Sequence, residues 1–202
     1  MRHHERKAGV RVVQSYDVDT LGAPFRVTLL DSVTFGTNPK TGEQTVQIPD
    51  LVGLIGAVVR ARVCDSRKLS GRELKFIRSA LDVRATMLAE FLDMSPEHLS
   101  RCEAGAKVMS STSEKLFRLS AFLATFLKEP EDMYAKPSAA ELKTKSTKPN
   151  EMAEKFMQMF LTMKIEAVFD PQDELWFQFS RRPRVVGEVD DDDGEWSADE
   201  AA

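Results

Sequence analysis

LSGRELKFIRSALDVRATMLAEFLDMSPEHLSRCEAGAKVMSSTSEKLFRLSAFLATFLK, residues 69–128, carries four short helical patterns separated by cap and turn residues. Ser70-x-x-Glu73 is a capping box, with Leu69 and Leu74 placed as its hydrophobic staple. Leu74, Ile77 and Leu81 then form a buried stripe, leaving Lys75 and Arg78 outside. Asp82-Val83 breaks the pattern before a second helix from about Ala85 to Leu92, with Leu88, Ala89 and Leu92 inward. Asp93-Met94 is a turn. Ser95-Pro96 opens a third helix, serine as N-cap and proline where no amide is needed.

The third helix, residues 96–104, has two unlike sides. Leu99 and Cys102 stand about 60° apart on the wheel and mark the core side. Almost opposite fall Glu97, Ser100, Arg101 and Ala104, with His98 at the flank, and Gly105 ends the helix. A short polar outer face carrying one guanidinium, two helices after a capping box, fits the major groove of DNA, where arginine reads guanine O6 and N7. This predicts a helix-turn-helix DNA-binding unit. The candidate DNA-binding residues are Arg84, Ser95, Glu97, His98, Ser100, Arg101 and Lys107.

Ser111-x-x-Glu114 reads as a second capping box. The fourth helix is expected to turn Leu116, Leu119, Leu123, Phe126 and Leu127 inward, while Phe117, Ala121 and Phe122 widen its apolar surface. That surplus makes Phe117, Phe122 and Phe126 the candidate dimer contact. A two-fold dimer would read a palindromic operator.

Upstream, residues 24–49 read as a β-hairpin: Val27, Leu29 and, after a shift, Val33 and Phe35 keep strand spacing. GTNPKTGE supplies the turn, and Val46 and Ile48 alternate on the return strand. Pro49-Asp50 opens a helix to about Val63 with Leu51, Leu54, Ile55, Val58 and Val59 on one stripe. Residues 1–15 show neither period and are expected to be a flexible arm.

Downstream, residues 130–149 have linker composition. Asn150 is placed to cap a helix with Met152, Phe156, Met159 and Met163 on one stripe, an adaptable surface for a partner or for the chain's own hairpin. LWFQF, residues 175–179, alternates as a strand that completes the hairpin's sheet or pairs across a dimer. RRPRVV, residues 181–186, is a basic patch, and the acidic end is expected to be disordered. The expected segments are therefore a 1–15 arm, a 16–66 ββα unit, a 67–129 DNA-binding unit, a 130–149 linker, a 150–187 dimer or partner segment, and a 188–202 tail.

Charge and cysteine content set limits. The formal charge is −4, but residues 188–202 hold eight acids and no base, so residues 1–187 stand at +4. A mildly basic body is compatible with nucleic acid. Two cysteines, Cys64 and Cys102, are too few for a four-thiolate zinc site or a disulfide framework, and a reducing cytoplasm is expected. The N-terminus lacks the apolar run of a secretory signal, and no stretch approaches a membrane span. His98 and Ser100 lie about 200° apart on one helix and cannot work together, so no enzyme is expected.

IRSALDV, MLAEFLDMS and HLSRCEAG resemble the helix-turn-helix of the lambda-repressor and Cro class, the XRE family. Ile48-Pro49-Asp50-Leu51 and LSGRELKFIR, residues 69–78, further resemble MqsA/YgiT-type antitoxin-like regulators, over roughly residues 16–128. The resemblance implies a mainly α fold with a small β-hairpin, a lambda-repressor-like helix-turn-helix plus an N-terminal ββα unit. It implies a bacterial homodimeric repressor of its own operon on the nucleoid or, alternatively, an antitoxin that neutralises a toxin through its N-terminal domain or Met-rich helix. The family's paired Cys-x-x-Cys ligands are missing here, so no metal or cofactor is expected. Ala85 replaces the glutamine that often opens the second helix, leaving Arg84 for phosphate, and Cys102 replaces an aromatic. Glu97 stands where related antitoxins carry asparagine, and the resemblance makes Arg101 the base-reading residue.

Overall fold

The computed structural model describes residues 11–38, 40–127, 134, 151–166, 174–183 and 194–199. They form β1 (Arg11–Asp17), β2 (Arg26–Thr37), β3 (Gln44–Gln47), α1 (Leu51–Cys64), α2 (Gly71–Ala80), α3 (Ala85–Phe91), α4 (Pro96–Glu103), α5 (Ser111–Ala124), α6 (Glu151–Thr162), β4 (Trp176–Pro183) and β5 (Gly194–Asp199). The chain divides into two compact units, residues 1–58 with 174–202, and residues 59–173.

The first unit overturns the expected fold class. The chain is not mainly α with a small hairpin, nor a lambda-repressor-like fold with a ββα appendage. It carries a five-stranded mixed sheet in the order β1-β2-β4-β5, with β3 also paired to β2. The expected hairpin is present as β2 and β3, antiparallel with Thr34 opposite Gln47. The shift read between Leu29 and Val33 is real: Asp31 takes φ 50°, and the β1–β2 register slips there. Val27, Leu29 and Val33 are buried on either side of it.

Two strands lie where other structure was expected, and a third stands where a strand was expected. The supposed arm supplies β1, whose largely exposed residues give no apolar alternation to read. The segment at 175–179 is part of β4, parallel to β2 with Val27 opposite Phe177, so it completes this chain's own sheet. The acidic end supplies β5, antiparallel to β4. There Trp196 is buried and its Nε1 donates to Asp50 O at 3.0 Å, so burial of one indole outweighs the acidic composition around it. Residues 1–10, 184–193 and 200–202, with the rest of the basic patch and tail, lie outside the described residues.

The second unit packs the end of α1 with α2–α6. Its core joins Val59, Val63, Leu74, Ile77, Leu81, Leu88, Leu99, Phe117, Ala121 and Phe160. Ser70 caps α2 as a capping box, as expected. α5 is rotated from its expected face. Its N-cap is Ser110, accepting from Ser113 N–H, and Glu114 is not a capping residue but is wholly buried. Leu116, Phe126 and Leu127 are exposed instead of inward.

The cause of that rotation is a buried ion cluster. Glu114 accepts from the Leu69 backbone N–H (2.9 Å), Lys68 Nζ (2.8 Å) and Arg118 Nη2 (2.8 Å). Arg118 donates to the carbonyls of Val63, Asp65 and Arg67, and Arg62 to those of Arg67 and Lys68. Two buried arginines thus satisfy the carbonyls at the end of α1 and beyond, which otherwise have no intrahelical partners. Hydrophobic periodicity cannot find a core face that carries charge.

Tyr134, within the expected linker, is buried against Phe91 with ring centroids 5.1 Å apart. The rest of that segment, Asn150, and the side chains of Met152 and Phe156 lie outside the described residues. α6 packs Phe160, Met159 and Met163 on the core of this unit. The segment at 150–187 is therefore split, helix to one unit and strand to the other.

Candidate nucleic-acid interface

Local sequence builds the third helix of the central stretch, α4, as a fixed, half-buried rod. Ser95 Oγ accepts from His98 N–H at 3.2 Å, Pro96 follows, and Gly105 takes φ 75° just past the end. Residues 92–95 join α3 to α4, with Asp93 at φ 52° and Met94 N–H on Ala89 O at 2.9 Å. Leu99 and Cys102 are buried beneath it. Ser95, Glu97, Ser100 and Arg101 are exposed on it, and His98 is half-buried. The wheel reading of this helix therefore holds residue by residue.

The other candidates fall around it in the same unit. Arg84 is exposed at the N-cap of α3 and makes no side-chain cap bond, and Lys107 is exposed just after α4. Among the described residues, the side chains of Arg84, Arg101 and Lys107 have no hydrogen-bond or ion-pair partner. Three exposed cations without internal partners, in the unit that carries this polar helix face, can meet phosphate and base edges. Glu97 is different. Hydrogen bonds from its own backbone N–H, then from Ser95, hold its carboxyl below the ordinary value, so it stays charged at the helix N-terminus.

Two of the three dimer candidates are unavailable. Phe117 and Phe122 are buried in the core, because α5 turns that face inward to seat Glu114 and Arg118. Phe126 is 61% exposed, with the Arg60 guanidinium 5.2 Å from its ring centroid.

Sequence reasoning missed the residues that aim α4. Arg78, expected to stay outside, donates to both oxygens of Glu103, at 2.6 and 3.1 Å, and to Val83 O at 2.8 Å. Gly71 lets the start of α2 meet the end of α4: a Cβ there would lie 2.3 Å from Cys102 O and 2.6 Å from Glu103 O. The glycine inside an otherwise strong helix start was the available signal. Val108, beside Lys107, is 73% exposed.

Comparison with protein families, curated proteins and solved structures gives no match to this chain. Among the described residues, no helix is long and apolar enough to cross a membrane.

Proposed function

We propose that this chain is a sequence-specific DNA-binding regulator of the bacterial cytoplasm, a homodimeric repressor on a palindromic operator. The observation that carries the reading is the division of α4. Leu99 and Cys102 are buried while Ser95, Glu97, Ser100 and Arg101 are exposed, with Arg101 unpartnered among the described residues. Arg84 and Lys107 fix the protein on phosphates, and Arg101 discriminates guanine, at about 1–3 kcal/mol for a good bidentate contact. Bound protein blocks polymerase. Footprinting on the DNA upstream of its own gene tests this. Protection of two half-sites about one helical turn apart is expected, and uniform or absent protection would contradict it.

A second reading, neutralisation of a toxin, draws on α6, where Met157 and Leu161 are 48% and 65% exposed. Exposed apolar side chains on a methionine-rich helix suit an adaptable partner surface. Co-purification with the product of a neighbouring gene, lost on Leu161→Glu, tests it.

A further inference from the structure

The sheet of the first unit ends on β1. This strand pairs with β2 along one side, and among the described residues no strand lies on its other side. Natural sheets blunt such edges with charged side chains, proline, bulges or very short strands. β1 is seven residues long, RVVQSYD, has no lysine or proline, and leaves Val12 55% exposed. It carries its two charges only at its ends, Arg11 and Asp17, with the register shift of its pairing to β2 between Val13 and Ser15. The Val18 N–H donates to Val27 O at 2.9 Å, and the antiparallel alternation then turns the backbone groups of Ser15 and Asp17 to the open side.

Laid antiparallel on a second copy about Gln14, this sequence is its own complement. Arg11 comes opposite Asp17, Val12 opposite Tyr16, Val13 opposite Ser15, and Gln14 opposite itself. Two-fold symmetry repeats the Arg11–Asp17 pair, giving two cross-strand ion pairs for one register. Sliding the copies to centre on Val13 or on Ser15 leaves both charges without an opposite partner within the strand. The side chains are available. Asp17 Oδ1 accepts from Thr28 Oγ1 at 2.5 Å, and among the described residues Oδ2 and the Arg11 guanidinium have no partner.

We infer that β1 is the dimer interface of this protein: two copies join edge to edge, antiparallel about Gln14, into one continuous sheet. The inference rests on the homodimeric part of the reading above and on none of its DNA-binding part. It also supplies the contact that the buried Phe117 and Phe122 do not.

The test is sedimentation equilibrium on the full chain, with circular dichroism to establish that each variant is folded. Wild type is expected to be dimeric, and Arg11→Asp to raise the dimer dissociation constant roughly tenfold by replacing two attractive pairs with two repulsive ones. Combining Arg11→Asp with Asp17→Arg should restore it. Asp17 also holds Thr28, so Ser15→Pro is the second readout: it removes an outward N–H without touching the bonds to β2, and should weaken the dimer too. A monomeric wild type would overturn both the interface and the homodimer. A dimer unchanged by Arg11→Asp and Ser15→Pro would overturn the interface alone, and neither result bears on DNA binding.

Discussion

Arg78 Nε lies 2.6 Å from Glu103 Oε1, so the second helix of the chain holds the last residue of α4 by a paired, mostly buried charge. The same guanidinium reaches Val83 O, which ties the entry to α3 to the exit of α4. The helix whose outer face is proposed to read DNA is therefore clamped at its far end, and its N-terminus is set by Ser95.

Removing either member of that clamp should loosen α4 before it unfolds the unit. Arg78→Ala and Glu103→Ala are each expected to cost about 2 kcal/mol, between the values for exposed and buried pairs. The double variant should cost less than the sum. Urea denaturation of the four chains measures the coupling, and strict additivity would show that the two side chains do not interact in solution.

Gly71→Ala should destabilise the protein by about 1–3 kcal/mol, against the usual gain of alanine in a helix. The added methyl meets backbone oxygens of α4, which cannot swing aside as a side chain would. An unchanged or higher melting temperature would mean that α2 and α4 do not approach so closely.

Glu114→Leu should cost about 3–5 kcal/mol, since it leaves Arg118 buried and charged without its carboxylate. Burial already pushes the Arg118 pKa down, and Glu114 opposes that. Replacing both residues by apolar ones should recover part of the loss, measurable by the same denaturation series.

Acid should unfold the second unit through Glu73 and Asp65. Burial alone would raise the Glu73 pKa, but Arg62 at 2.5 Å and the Ser70 bonds outweigh it and hold it below 4.5. For Asp65, burial is likewise outweighed by Arg67 and Arg62, below 3.8. A carboxyl whose folded pKa is depressed adds stability above its unfolded pKa and loses it as pH falls through the folded value. Melting temperature should therefore hold from neutrality to about pH 5 and fall below it. Glu73→Gln should lower the plateau and flatten the fall, whereas an unaltered acid limb would place the titrating groups elsewhere.

What was legible followed from how locally each feature is written. The capping box at Ser70, the Ser95-Pro96 start and the buried pair Leu99 and Cys102 depend on neighbours within a turn or two, and each stands where the residues place it. α5 misled because its inward face includes Glu114 and Arg118, charges that beyond each other find their partners forty or more residues away in sequence. The alternation of residues 175–179 made β4 legible as a strand of the hairpin's sheet, but not its parallel register on β2, 148 residues away along the chain, as in the Trp176 Nε1 bond to Thr28 Oγ1 at 2.8 Å. β5 hides Trp196 among acids, and β1, exposed along most of its length, has little to alternate. The proposed interface was read from one helix and its flanks, but Arg78 and Glu103, which hold it, became visible only when α2 and α4 were side by side.

The most direct measurement is the affinity of the full chain and of Arg101→Ala for a DNA site obtained by in vitro selection, set against a scrambled duplex at fixed salt. The variant should bind its selected site roughly tenfold or more weakly, and the scrambled duplex nearly as well as wild type does, with no change in melting temperature. Equal losses on the two duplexes would reduce Arg101 to a phosphate contact. Failure of the wild-type chain to prefer any selected sequence would contradict the account at its centre.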